Sequence, residues 1–153
     1  MKPQHLIYLF FALTLALFSA CNELYEFTVT QSGKDILFTL KDVDLGRDRL
    51  MLYDISVANK KCTEPSCVAW ELVRHVEDAD TTKINSENTV SATIKYGQEF
   101  ANMEIRHPAA PLTAGSYVIG ATFAVIRNNK IVATKLVSGS FKLAVEDNNI
   151  VLK

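Results

Sequence analysis

From position 25 onward, apolar and polar residues alternate with a period of two along most of the chain. In "LYEFTVT", Tyr25, Phe27 and Val29 share one face and Glu26, Thr28 and Thr30 the other. "QSGKD" is a turn signal, and "ILFTLK" returns with Ile36, Phe38 and Leu40 inward, the pattern of a hairpin. After the polar loop "DVDLGRD", the run "RLMLYDISVAN" puts Met51, Tyr53, Ile55 and Val57 in phase. "CVAWELVR" follows with Val68, Trp70 and Leu72 in phase, then the long polar loop "EDADTTKINSEN". "TVSATIKYG" turns Val90, Ala92, Ile94 and Tyr96 inward, and "NMEIRH" holds a short further strand. "SYVIGATFAVI" sets Tyr117, Ile119, Ala121, Phe123 and Val125 on one face. "RNNK" is a tight turn, because asparagine tolerates positive φ, and "IVATKLVSGSFKLAV" is the return strand, with Gly139 at a bulge or bend. No stretch longer than a turn or two has helical periodicity with caps. There is no repeat, no low-complexity tract and no internal linker.

Seven or eight short strands with regularly spaced turns predict an all-β domain, an antiparallel β-sandwich. "PLTAGSY" resembles the corner before a late strand of immunoglobulin-like and fibronectin type III domains. There a tyrosine hydroxyl bonds back to backbone a few residues upstream. The resemblance assigns that role to Tyr117, with Leu112 capping the core and Gly115 making the turn. It spans seven residues and supports an immunoglobulin-like sandwich as a class, not a family. The inter-sheet disulfide of immunoglobulins is missing, since Cys62 and Cys67 are too close in sequence to join two sheets.

The first twenty residues read differently. Lys2 is followed by the uncharged run "LIYLFFALTLALFSA", Leu6 to Ala20, which ends abruptly at Cys21, Asn22 and Glu23. A basic start, an apolar middle and small residues at the end make a signal peptide. The run is short for a membrane-spanning helix, which needs about 20 apolar residues. Ordinary signal peptidase wants small residues at −1 and −3, and a cut before Cys21 puts Phe18 at −3. "FSAC" instead resembles the bacterial lipobox, with Phe18 where leucine is usual. The resemblance implies residues 1–20 as a lipoprotein signal peptide and 21–153 as a single domain tethered through diacylglycerol on Cys21. Asn22, where aspartate would favour the inner membrane, implies an outer-membrane lipoprotein of the bacterial envelope facing the periplasm.

Charge excludes little but is informative about partners. Of 16 basic residues only Lys2 lies in the leader, so 15 remain against 17 acidic ones. That weakly negative balance does not fit a nucleic-acid partner. With Cys21 spent on lipid, Cys62 and Cys67 remain as a pair in "KKCTEPSCVAW", and an oxidising periplasm favours a local disulfide. A redox pair usually has C-x-x-C spacing, and zinc needs more ligands than His75 and His107 supply.

No catalytic set is evident. There is no G-x-S-x-G, and "SGS" at 138–140 lies inside a strand pattern. His75, beside Glu77, Asp78 and Asp80, and His107, before Pro108, are bases only if folding brings them to a pocket. Asp42, Asp44 and Asp48 are weak calcium candidates, since calcium takes alternating loop carboxylates; the loop lacks the EF-hand order. Trp70, in phase with Val68 and Leu72, reads as core rather than as a surface platform. The expectation is a lipid-anchored protein without catalytic activity or cofactor. It would bind an envelope protein or assembly, an inhibitor role being one form of this. The alternative is an envelope enzyme or metal carrier using His75, His107 and the loop carboxylates.

Overall fold

A computed structural model describes residues 25–41, 44–62, 64–74 and 89–153. The expected signal peptide, Cys21, Asp42, His75 and the acidic cluster after it lie outside the described residues.

The described chain is all-β. Its strands are β1 (Tyr25–Ser32), β2 (Asp35–Leu40), β3 (Arg49–Asn59), β4 (Val68–Val73), β5 (Thr93–Lys95), β6 (Glu104–His107), β7 (Gly115–Arg127), β8 (Lys130–Glu146) and β9 (Asn149–Leu152), with one 3-10 turn at Pro65–Cys67. They follow one hydrogen-bonded path, β5-β2-β1-β8-β7-β3-β4-β6, and β9 pairs with β8 beside it.

β1 is the element that curls this path. Its first two residues pair with β8 in parallel, Tyr25 opposite Val137 and Glu26 opposite Ser138. The strand then leaves β8 and continues antiparallel to β2, from Phe27 opposite Leu40 to Ser32 opposite Asp35. The sheet is therefore mixed, not purely antiparallel as expected, and one hydrogen-bonded path links its strands. Gly139 marks the point of departure. A Cβ there would lie 3.1 Å from Phe27 Cβ and 3.3 Å from the Phe27 carbonyl oxygen. Of the expected bulge or bend at Gly139, the bulge is absent, because Ile119 stays paired with it. What the site needs is room for the crossing strand.

On the opposite side, residues 90–95 make the second crossing. Val90 bridges to Leu50 of β3, while Ile94 pairs with Phe38 of β2. The run expected as a single strand through Val90 is thus a bridge followed by the short β5. Val90, Ala92 and Tyr96 still pack on the core, as their phase predicts.

The core lies inside the curl. Phe123, Phe27, Phe38, Phe141 and Tyr117 form a chain of rings, neighbouring centroids 5.3–6.3 Å apart. Trp70 is buried and meets Tyr96 edge-on at 5.5 Å. Such pairs add to the area term, which is about 1.5–3 kcal/mol for each fully buried large side chain.

β3 departs from its predicted phase. Leu52 pairs with Phe123, but Asp54 pairs with Thr122, so Tyr53 is an extra residue on β3. This bulge exchanges the faces. Leu50 and Leu52 join Ile55 and Val57 in the main core, and Met51 moves to the other face with Ala124, Ile126, Tyr53 and Ile131.

Candidate functional site

A cleft of about 760 Å³ lies at one end of the curled sheet. Three segments build it. The first is the β1–β2 hairpin tip, Gln31 to Ile36, whose two-residue turn starts at Gly33 with φ of +61°. The second is the β8–β9 hairpin, turned by Asp147 and Asn148 at φ of +48° and +62°. The two successive positive values at Asp147 and Asn148 are those of a type I′ turn, which asparagine and aspartate tolerate. The third is the extended segment 109–112. Ile36, Leu143, Leu112 and Ile150 give the cleft an apolar floor. Lys34 and Asp35 stand at its rim, with Asp35 3.8 Å from Lys95. Its volume falls in the range of ligand-binding clefts, about 300–1,000 Å³.

Tyr96 secures the third wall. Its hydroxyl lies 2.9 Å from the Ala69 carbonyl and 2.7 Å from the Ala110 carbonyl, and has one proton to donate to them. The Ala110 N–H also donates to Ala69 at 2.9 Å. Burial, aided by nearby Tyr117, pushes the Tyr96 phenol up to about 12. It therefore stays a donor at every physiological pH.

Gln31 joins the other two walls. Its Nε2 donates to the carbonyls of Ile150 at 2.9 Å and Gly33 at 3.0 Å, and its Oε1 accepts from the Leu152 N–H at 2.7 Å. Both bonds to β9 fall on backbone groups that point away from β8. Glu146 and Asn149 close the two-residue turn, so Ile150 and Leu152 occupy the pairs whose N–H and C=O face outward.

The Tyr117 hydroxyl donates to the Thr113 carbonyl at 3.0 Å and accepts from the Thr113 N–H at 3.2 Å. This is the geometry of a tyrosine corner. Leu112 packs on the core beside it. Gly115, expected to make the turn, is the first residue of β7, opposite Leu143. Cys62 and Cys67 are joined by a disulfide, Cα atoms 5.9 Å apart, in the β3–β4 loop.

The other candidates are not gathered into one site. His107 Nδ1 lies 2.8 Å from Glu71 Oε2 on the outer face of β4 and β6. Asp44 accepts the Gly46 N–H at 2.9 Å, closing its own loop. Asp48 receives two bonds from Arg127, both 2.8 Å, which hold its carboxyl below the usual range. Glu71 lies opposite Ser56 of β3, seven residues from Arg49, so His107 and Asp48 are separated by roughly 23 Å of strand. Among the described residues no group of three or more His, Cys, Asp or Glu could hold a metal ion.

Sequence reasoning passed over the cleft. Gln31 reads as part of a turn, and "EDNNIV" lies beyond the last expected strand. The signal for β9 was nonetheless present, an Asp-Asn pair between alternating apolar residues. No known protein family, no curated protein and no solved structure matches the chain.

Proposed function

We propose that this chain is a lipid-anchored protein of the bacterial envelope that acts by binding another protein at the cleft. The observation that carries the reading is the position of the cleft relative to the start of the domain. Cys21 is four residues before Tyr25, where β1 begins. β1 then runs away from that point, and six residues on, Gln31 lines the cleft, about 20 Å along the strand. An anchor at Cys21 leaves the cleft facing away from the membrane. Two acyl chains give stable anchoring, so the folded part needs no spanning segment of its own. The lipobox resemblance of "FSAC" supports the anchor and the outer-membrane, periplasm-facing location.

The test is an affinity capture from detergent-solubilised envelopes with the lipidated chain as bait. Lys34 and Pro111 are exposed at the cleft, and Leu136 is exposed on β8 away from it. A partner captured by wild type and by Leu136→Glu, but not by Lys34→Glu/Pro111→Arg, is the expected result. Capture that is indifferent to the cleft variant would overturn the assignment of the cleft.

A further inference from the structure

The bonds of Gln31 to β9 have the form of a strand pairing. In a parallel pair, one residue donates its N–H to the carbonyl of residue i and accepts from the N–H of residue i+2 on its neighbour. The Gln31 side chain does this with Ile150 and Leu152, donating to the first at 2.9 Å and accepting from the second at 2.7 Å. A primary amide thus stands where the main chain of a residue opposite Val151 would stand. Among the described residues β9 pairs with β8 alone, so no main chain fills that register. The edge of β9 therefore presents a strand register filled by one side-chain amide, and Gln31, Ile150 and Val151 all line the cleft.

We propose that the cleft binds an extended peptide segment of a partner protein, which adds to β9 as a parallel strand and displaces the Gln31 amide. The inference rests on the cleft being the binding site. The chemistry on the page selects this occupant. The groups that Gln31 now satisfies are main-chain groups in strand register, and main-chain bonds are what strand addition uses for affinity. The apolar floor of Ile36, Leu112, Leu143 and Ile150 is suited to alternate side chains of the added strand. Rim charges of both signs, Lys34 and Asp35, disfavour a strongly charged ligand. Gln31 then has two roles. It satisfies the edge in the free protein, and it keeps that edge from pairing with a second copy.

The probe is a nonapeptide selected from a random phage-displayed library on the full lipidated chain in detergent micelles, then synthesised. Binding is expected to shift the Gln31 side-chain amide resonances and the backbone amides of Ile150 and Leu152. N-methylation of the peptide should abolish binding at alternate positions, those facing β9, and leave the intervening ones unaffected. Gln31→Ala should bind the peptide about 3- to 10-fold more tightly, since a competing amide is gone. Gln31→Ala also loosens β9, so the N-methyl scan on wild type stands as the independent measure. Failure to select any peptide, an N-methyl scan without alternation, or shifts confined to another surface would overturn the proposal. So would a Gln31→Ala chain that dimerises through β9 in preference to binding the peptide. Envelope capture that depends on Lys34 and Pro111 while peptides fail would sink the strand but keep the cleft. Capture independent of both residues would remove the cleft itself.

Discussion

Two glycines on neighbouring strands show how one residue type meets opposite demands. Gly139 faces β1, where a methyl group would press on Phe27 Cβ, Ile119 Cγ2 at 3.2 Å and the Phe27 carbonyl. Gly120, one strand away, has nothing within 4 Å of its would-be Cβ and an ordinary φ. Gly139→Ala is expected to cost about 1–2 kcal/mol in denaturant melts, as overpacking outweighs the entropy gained from removing a glycine. Gly120→Ala should be neutral or stabilising by about 0.5 kcal/mol. A comparison of tyrosines is as direct. Tyr117→Phe keeps the stacked ring and orphans the Thr113 backbone groups, so it should cost about 1–3 kcal/mol. Tyr25→Phe and Tyr53→Phe should be milder. The Tyr25 ring, under Lys135 Nζ at 4.8 Å, survives the change. Tyr96 carries a pH dependence. Its folded pKa of about 12 lies above the unfolded value of about 10, so its contribution is complete below pH 10 and lost as pH rises toward 12. Alkaline unfolding of Tyr96→Phe should therefore be less steep over that interval than that of wild type.

At the scale of elements, legibility followed how local the determinant was. The hairpins β1–β2 and β7–β8 are set by alternation and by turn residues within a few positions, and both were readable. In sequence β3 is one unbroken alternation, and the bulge at Tyr53 breaks it. Nothing in "RLMLYDIS" distinguishes the two phases, because Leu50, Met51, Leu52 and Tyr53 are all apolar or aromatic. The choice depends on which residue β7 presents opposite, a contact more than 60 positions away. The parallel pairing of β1 with β8 was hidden for the same reason, since it joins Tyr25 to Val137. Of the cleft, only its turn residues were local; Gln31 gains its meaning from β9, more than a hundred positions on. The disulfide is the reverse case, local in both sequence and effect. Its loop has its own backbone bonds, Cys62 N–H to Asn59 and Cys67 N–H to Glu64. A Cys62→Ser/Cys67→Ser chain should lose about 2 kcal/mol or less, measured by chemical denaturation, and keep its fold.

The whole molecule raises a question of reach. On the proposed anchor, three residues lie between the lipid-bearing Cys21 and Tyr25, so four steps span about 14 Å when fully extended. Tyr25 does not start at the end of the sheet. It pairs with Val137, seven residues into β8 from Lys130, so the β7–β8 hairpin tip overhangs it by roughly 23 Å. The tether is shorter than the overhang. The tip at Arg127–Lys130 must then lie at the headgroups, or the domain must tilt until it does. The cleft, reached by going the other way along β1, stays roughly 20 Å beyond Tyr25 on the far side. Fluorescence transfer measures this. Lys130→Cys and Lys34→Cys chains, labelled with a donor, are reconstituted into vesicles carrying a headgroup acceptor. Transfer should be strong from position 130 and weak from position 34. The separation between the two labels, roughly 40 Å along the strands, is large enough to resolve. Cys21→Ser should abolish transfer at both, and intact mass should show wild type without residues 1–20 and with acyl mass added. Wild type recovered at precursor mass would remove the anchor. Equal transfer from both labels with the lipid present would instead show the domain lying flat, with the cleft against the bilayer and closed to a periplasmic partner.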